Sequence, residues 1–67
     1  MTVAKVTEIT ATSAKSFKDA INDGIKRASK TLDNVTGAWI ENQEVIVERG
    51  EITEYKVRLK VTFVLND

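Results

Sequence analysis

The residues in this chain that could do chemistry are carboxylates, cations and one indole. Glu41, Glu44, Glu48, Glu51 and Glu54 lie along one stretch, Lys56, Arg58 and Lys60 along the next, and Trp39 just ahead of both. Glutamates suggest cation coordination, since calcium takes roughly six to eight oxygen ligands. No loop presents the spaced acidic residues of an EF-hand, so these glutamates could assemble a site only across subunits. Acidic residues scattered along a strand read first as a solvated or ion-paired face, with Glu41 or Glu44 as a partner for Lys56. Histidine and cysteine are both absent. The commonest general base and the commonest thiol nucleophile are therefore missing, and disulfides and the usual zinc sites are excluded. Neither the carboxylates nor the lysines fall in a recognisable catalytic constellation, and there is no glycine-rich phosphate loop. The expectation is a protein that is not an enzyme.

The elements that must position these residues fit in a single domain spanning residues 1–67. A domain of this size buries only about 60% of the surface its unfolded chain exposes, and without disulfides or a metal the remaining supplement is oligomerisation. Ten basic and ten acidic residues cancel. That balance gives no global field to attract nucleic acid or an anionic membrane. No apolar run approaches the roughly 20 residues that span a bilayer, and the first residues alternate where a signal peptide would be continuously apolar. A cytoplasmic protein with no membrane or nucleic-acid partner is expected.

Periodicity divides the chain into β-α-β-β. Residues 3–10 are rich in β-branched types and roughly alternate, as a half-buried strand does. Thr12-Ser13 offer hydroxyls for a helix start, and Ala14, Phe17, Ala20, Ile21, Gly24, Ile25, Ala28 and Leu32 then recur at intervals of three and four. That stripe predicts one long helix over 14–33, closed by Asp33-Asn34. Its small members Ala20, Gly24 and Ala28 permit close approach to a sheet. Residues 36–48 read as a second strand with apolar residues on both parities, the mark of burial on both faces. Arg49-Gly50-Glu51 is the reversal, with Gly50 able to adopt positive φ. The clearest signal is the third strand, where Tyr55, Val57, Leu59, Val61, Phe63 and Leu65 alternate with Lys56, Arg58, Lys60 and Thr62. The class is α+β, a three-stranded antiparallel sheet with one helix. That helix can cover only one sheet face, so the face bearing Lys56, Arg58 and Lys60 is left for another subunit.

The pattern resembles the dodecins, small bacterial and archaeal proteins in which a three-stranded antiparallel sheet partly wraps one long helix and copies close into a hollow homododecamer. The resemblance rests on Val6-Thr7-Glu8-Ile9 running into Thr12-Ser13, on Arg27-Ala28-Ser29-Lys30-Thr31-Leu32-Asp33-Asn34, and on Tyr55-Lys56-Val57-Arg58-Leu59-Lys60-Val61-Thr62-Phe63. It implies storage or sequestration of a small ligand, either a flavin (FMN or riboflavin) or an ion. Flavin-binding members carry a stacking tryptophan at the start of the second strand and a glutamine after the third-strand tyrosine. Here those positions hold Gly37 and Lys56, as in a branch of the family that lacks the tryptophan and is associated with calcium. The implied ligand-binding residues are Gly37, Trp39 and Lys56, and no metal ligands are assigned. Trp39, two residues beyond Gly37, points to the same side. It either reaches the same cavity or packs at a subunit interface, where tryptophan is enriched. Lys56 is a donor only and cannot reproduce the paired donor and acceptor of a carboxamide. The usual flavin mode is therefore disfavoured, and the alternative function is an assembly without a ligand.

Overall fold

The last strand in sequence is the middle of the sheet. In the computed structural model, which describes residues 2–65, β1 (Ala4–Ser13) and β2 (Val35–Glu48) flank β3 (Glu51–Val64) in the order β1-β3-β2, both antiparallel to it. The most regularly alternating segment takes the position with neighbours on both sides. Helix α1 (Phe17–Thr31) crosses one face. The expected β-α-β-β fold is the observed one. Among the described residues, no helix is long and apolar enough to cross a membrane.

Two helix boundaries differ from the sequence expectation. Strand β1 continues through Ser13, because Thr12 and Ser13 pair with Lys56 and Tyr55 of β3. The Ser13 hydroxyl accepts from the Lys15 N–H at 3.0 Å and turns the chain locally. Ser16 is the cap: its backbone is extended, and its Oγ accepts from the Asp19 N–H at 3.0 Å. Ala14 therefore lies ahead of the helix. At the other end α1 stops at Thr31, with Leu32 extended and its N–H donating to the Ala28 carbonyl at 2.9 Å. Asn34 follows at φ 60°, a left-handed conformation that asparagine tolerates. Its carbonyl accepts from the Val64 N–H at 3.1 Å, which ties the exit of the helix to the end of β3.

Arg49 and Gly50 both have positive φ, 54° and 80°. This is the two-residue loop whose twist matches a hairpin. Strand β3 begins at Glu51, four residues earlier than its alternation predicts. Residues 51–54 pair with β2 only, since the last β1 partner is Ser13, opposite Tyr55. Alternation is written only where β3 has the helix above it.

The core is small. Ala20, Val57, Leu59 and Val61 are fully buried, with Ile9, Ala11, Phe17, Ile21, Ile25, Leu32 and Val35 packed around them. Phe17 meets Tyr55 edge to face at 5.1 Å, which closes the helix start onto the sheet. The odd-numbered residues of β3 face the helix, as expected. Gly24 is buried where the helix comes nearest the sheet: a methyl group there would sit 3.2 Å from Ala11 Cβ and 3.3 Å from Leu59 Cδ1. The approach offsets the ~1 kcal/mol that glycine costs in a helix. Gly24→Val should accordingly destabilise the fold by about 1–3 kcal/mol through overpacking. Thermal unfolding would show this as a lower Tm, and an unchanged or raised Tm would contradict the close approach.

Helix α1 packs on β1 and β3 and leaves β2 bare. Every β2 residue from Thr36 to Glu48 is exposed. The burial on both faces expected for this strand is not supplied by the chain itself.

Candidate functional site

Directly opposed residues of an antiparallel pair project to the same face, so the register assigns the side of the sheet away from the helix. Strand β3 gives it Lys56, Arg58, Lys60 and Thr62. Strand β1 gives Thr12, Thr10, Glu8 and Val6, their respective partners. Strand β2 gives Glu44 opposite Lys56, Asn42 opposite Arg58, Trp39 opposite Lys60 and Gly37 opposite Thr62. A register shift between Ile40 and Asn42 leaves Glu41 unmatched, and this bulge puts its carboxylate within reach of Lys60.

The resulting surface is a basic central row between acidic flanks. Lys56 Nζ lies 3.4 Å from Glu44 Oε1. Arg58 Nε is 3.9 Å from Glu8 Oε1, and Lys60 Nζ is 3.9 Å from both Glu8 Oε2 and Glu41 Oε2. All these groups are at least a third exposed, so each pair contributes no more than about 1 kcal/mol. Their effect is to neutralise the face. Glu8→Gln should change stability by less than about 1 kcal/mol. A larger loss on chemical denaturation would mean that Glu8 is held in a drier setting than one protomer provides.

Gly37 and Trp39 stand close together on this face. A side chain at Gly37 would meet nothing within 4 Å, and Trp39 is 51% exposed. Lys56 shares the face without joining them: it lies four residues along β3 from the partner of Trp39, on the order of 13 Å. Within one protomer these three residues do not form one pocket. The sequence offered Glu41 or Glu44 as the partner of Lys56, and the register selects Glu44 and gives Glu41 to Lys60. Glu8, which bridges two of the three cations, escaped sequence reasoning. Its position on the polar parity of β1 was visible, but the register bringing it to Arg58 and Lys60 was not.

The remaining glutamates are not drawn together. Among the described residues no group of three or more acidic side chains is placed to hold a metal ion. A groove of about 540 Å³ does exist elsewhere, between α1 and the outer edge of β1, lined by Thr7, Ile9, Asp23, Arg27 and Thr31 among others. It lies away from Gly37, Trp39 and Lys56.

A helix cradled by a sheet whose middle strand is the last in sequence, with a long bare hairpin, is distinctive for so short a chain. The family model described as Dodecin matches residues 3–66. The chain belongs to the dodecin family. The calcium dodecin of Mycobacterium tuberculosis is 30% identical over 63 residues, 94% of this chain and 89% of that protein. Among solved structures, dodecin from Streptomyces davaonensis superposes with a TM-score of 0.93 at 33% identity, covering 98% of this chain and 97% of that one. A substituted form of the T. thermophilus dodecin gives 0.94 at 28% identity, with 100% of both chains covered. The match runs the length of every element, so the bare β2 and its neutralised face belong to a dodecin fold.

Proposed function

We propose that this chain is one subunit of a hollow homo-oligomer that binds and sequesters a small ligand, and that it does so without catalysis. The observation that carries the reading is strand β2. Trp39, Ile40, Val45, Ile46 and Val47 are 36–54% exposed on a strand that no helix covers. A 67-residue chain does not leave that much apolar surface in water without a partner. A second copy is the partner that membership of the dodecin family supports.

The ligand reading centres on Gly37, Trp39 and Lys56, brought together between subunits. Trp39 is available to stack on a planar aromatic, and the space above Gly37 is open. The flavin pair of the family is replaced here, and Lys56 is already engaged by Glu44. A flavin would therefore bind more weakly than in members that keep the pair. Calcium is the other ligand class, named for the M. tuberculosis relative, and would need glutamates from more than one subunit. The engagement of Lys56 and Lys60 by glutamates favours the second reading, an assembly that works without a ligand.

Titration decides among these. Riboflavin fluorescence quenched at stoichiometric protein supports a flavin-type ligand, and heat of binding on calcium titration supports the ion. Neither signal, from protein that is demonstrably assembled, would overturn the storage reading in favour of the ligand-free assembly.

A further inference from the structure

The cations down the middle of the far face are not equivalent. Lys56 has Glu44 at 3.4 Å, and Lys60 stands 3.9 Å from both Glu8 and Glu41. Arg58 sits instead between two uncharged cross-strand neighbours, Thr10 on β1 and Asn42 on β2. Its ion pair is diagonal, from Nε to a Glu8 carboxylate that Lys60 shares, and at 3.9 Å it is too long for a hydrogen bond. Among the described residues, the side chains of Arg58, Thr10 and Asn42 make no hydrogen bond. A guanidinium fork flanked by a hydroxyl and a carboxamide matches the oxygens of an oxyanion, which arginine takes two at a time. Trp39 lies one strand across and two residues along from Arg58, a diagonal of about 8 Å. Register shifts at Val35/Gly37 and Ile40/Asn42 bracket the stretch carrying Gly37 and Trp39, and bulges of this kind are common beside active sites.

We propose that this face holds a ligand of the mononucleotide class, a planar base joined through a sugar to one phosphate, and that Arg58 binds the phosphate. The base lies on the Trp39 indole above Gly37, where nothing is within 4 Å of a side chain. The diagonal from Trp39 to Arg58 matches the reach of a ribose between a base and its phosphate. There Arg58 donates two N–H groups to two phosphate oxygens, and the Thr10 hydroxyl and Asn42 amide donate to the same group. Glu8 yields Arg58 to the phosphate and keeps Lys60, its other partner. Glu8, Glu41 and Glu44 leave room for one phosphate and repel a series of them, so the ligand is a free mononucleotide and not a single strand of nucleic acid. It rests on the ligand reading above and adds the chemical class and the residue that selects it.

Trp39 is the only tryptophan in the chain, so its emission reports on stacking directly. The full chain is titrated with adenosine, AMP, riboflavin and a short oligothymidylate at fixed ionic strength. AMP should quench at a concentration about tenfold or more below adenosine. Arg58→Gln should erase that advantage and leave adenosine binding unchanged, and Arg58→Lys, which keeps the charge but loses the fork, should fall between. Glu8→Gln, which removes the competing carboxylate, should strengthen AMP binding about threefold or more. Equal quenching by AMP and adenosine, or none by either while riboflavin still quenches, overturns the phosphate site and leaves the ligand reading standing. An AMP advantage that survives both Arg58 variants overturns the assignment to Arg58. Oligothymidylate bound more tightly than AMP overturns the restriction to one phosphate. No quenching by any of the four overturns this site and the ligand reading together.

Discussion

Leu59→Ala should unfold most of this protein's margin. Leu59 is 1% exposed, lies on the central strand, and touches the helix where Gly24 allows the closest approach. Truncating a fully buried leucine costs about 2–5 kcal/mol, the lost transfer free energy plus the cavity left behind. A domain of this length has roughly 3–10 kcal/mol in total. The core offers little room to relax, since its other fully buried members are Ala20, Val57 and Val61. The expected result is a Tm lowered by about 10 °C or more. In the proposed assembly, association stabilises the folded subunit by mass action, so the variant's Tm should fall further on dilution. A shift of only a degree or two would mean that packing between subunits, not this core, holds the protomer together.

The second large effect is a gain. Gly37→Trp combined with Lys56→Gln should raise riboflavin affinity by about tenfold to hundredfold. The tryptophan adds a stacking surface worth about 0.5–1.5 kcal/mol beyond its area. The carboxamide adds a paired hydrogen bond of about 0.5–1.5 kcal/mol. The protomer has room, because nothing lies within 4 Å of a side chain at Gly37. Losing the Lys56–Glu44 pair costs no more than about 1 kcal/mol, since both groups are partly solvated. Fluorescence quenching gives the affinity directly. If the double variant assembles normally and binds no better than the parent, Gly37 and Lys56 are not where a ligand sits.

Much of this fold is legible in the sequence. The third strand announces itself because its alternation coincides with real two-sided pairing under a helix, so Val57, Leu59 and Val61 are core in both sequence and structure. The helix stripe was equally plain, and Gly24 is buried at the close approach its neighbours imply. The helix start was misplaced for a definite reason. Thr12, Ser13 and Ser16 are all good capping residues, and only the long-range pairing of Thr12 and Ser13 with β3 leaves the role to Ser16. Local sequence carries no trace of that competition.

Strand β2 shows a subtler limit. Its apolar residues on both parities suggested burial on two faces, yet part of that pattern is produced by register shifts at Val35/Gly37, Ile40/Asn42 and Ile46/Val47. After the second shift the far face passes from odd to even residues, so Trp39 and Glu44 share a side despite opposite parity. Apolar side chains still remain on both faces, Ile40 and Val45 on one, Trp39 and Ile46 on the other. That Gly37 and Trp39 share a side followed from spacing, whereas a common face with Lys56 was implied only by the family resemblance and is fixed by the register. Their separation along the sheet and the partners of Lys56 and Lys60 did not, because both depend on inter-strand register.

The proposed function depends on that bare strand finding other copies. The most direct measurement is the mass of the purified wild-type chain by light scattering at micromolar concentration. The expected result is a large closed species, close to a dodecamer of 7.5 kDa subunits. A mass of one subunit would contradict it.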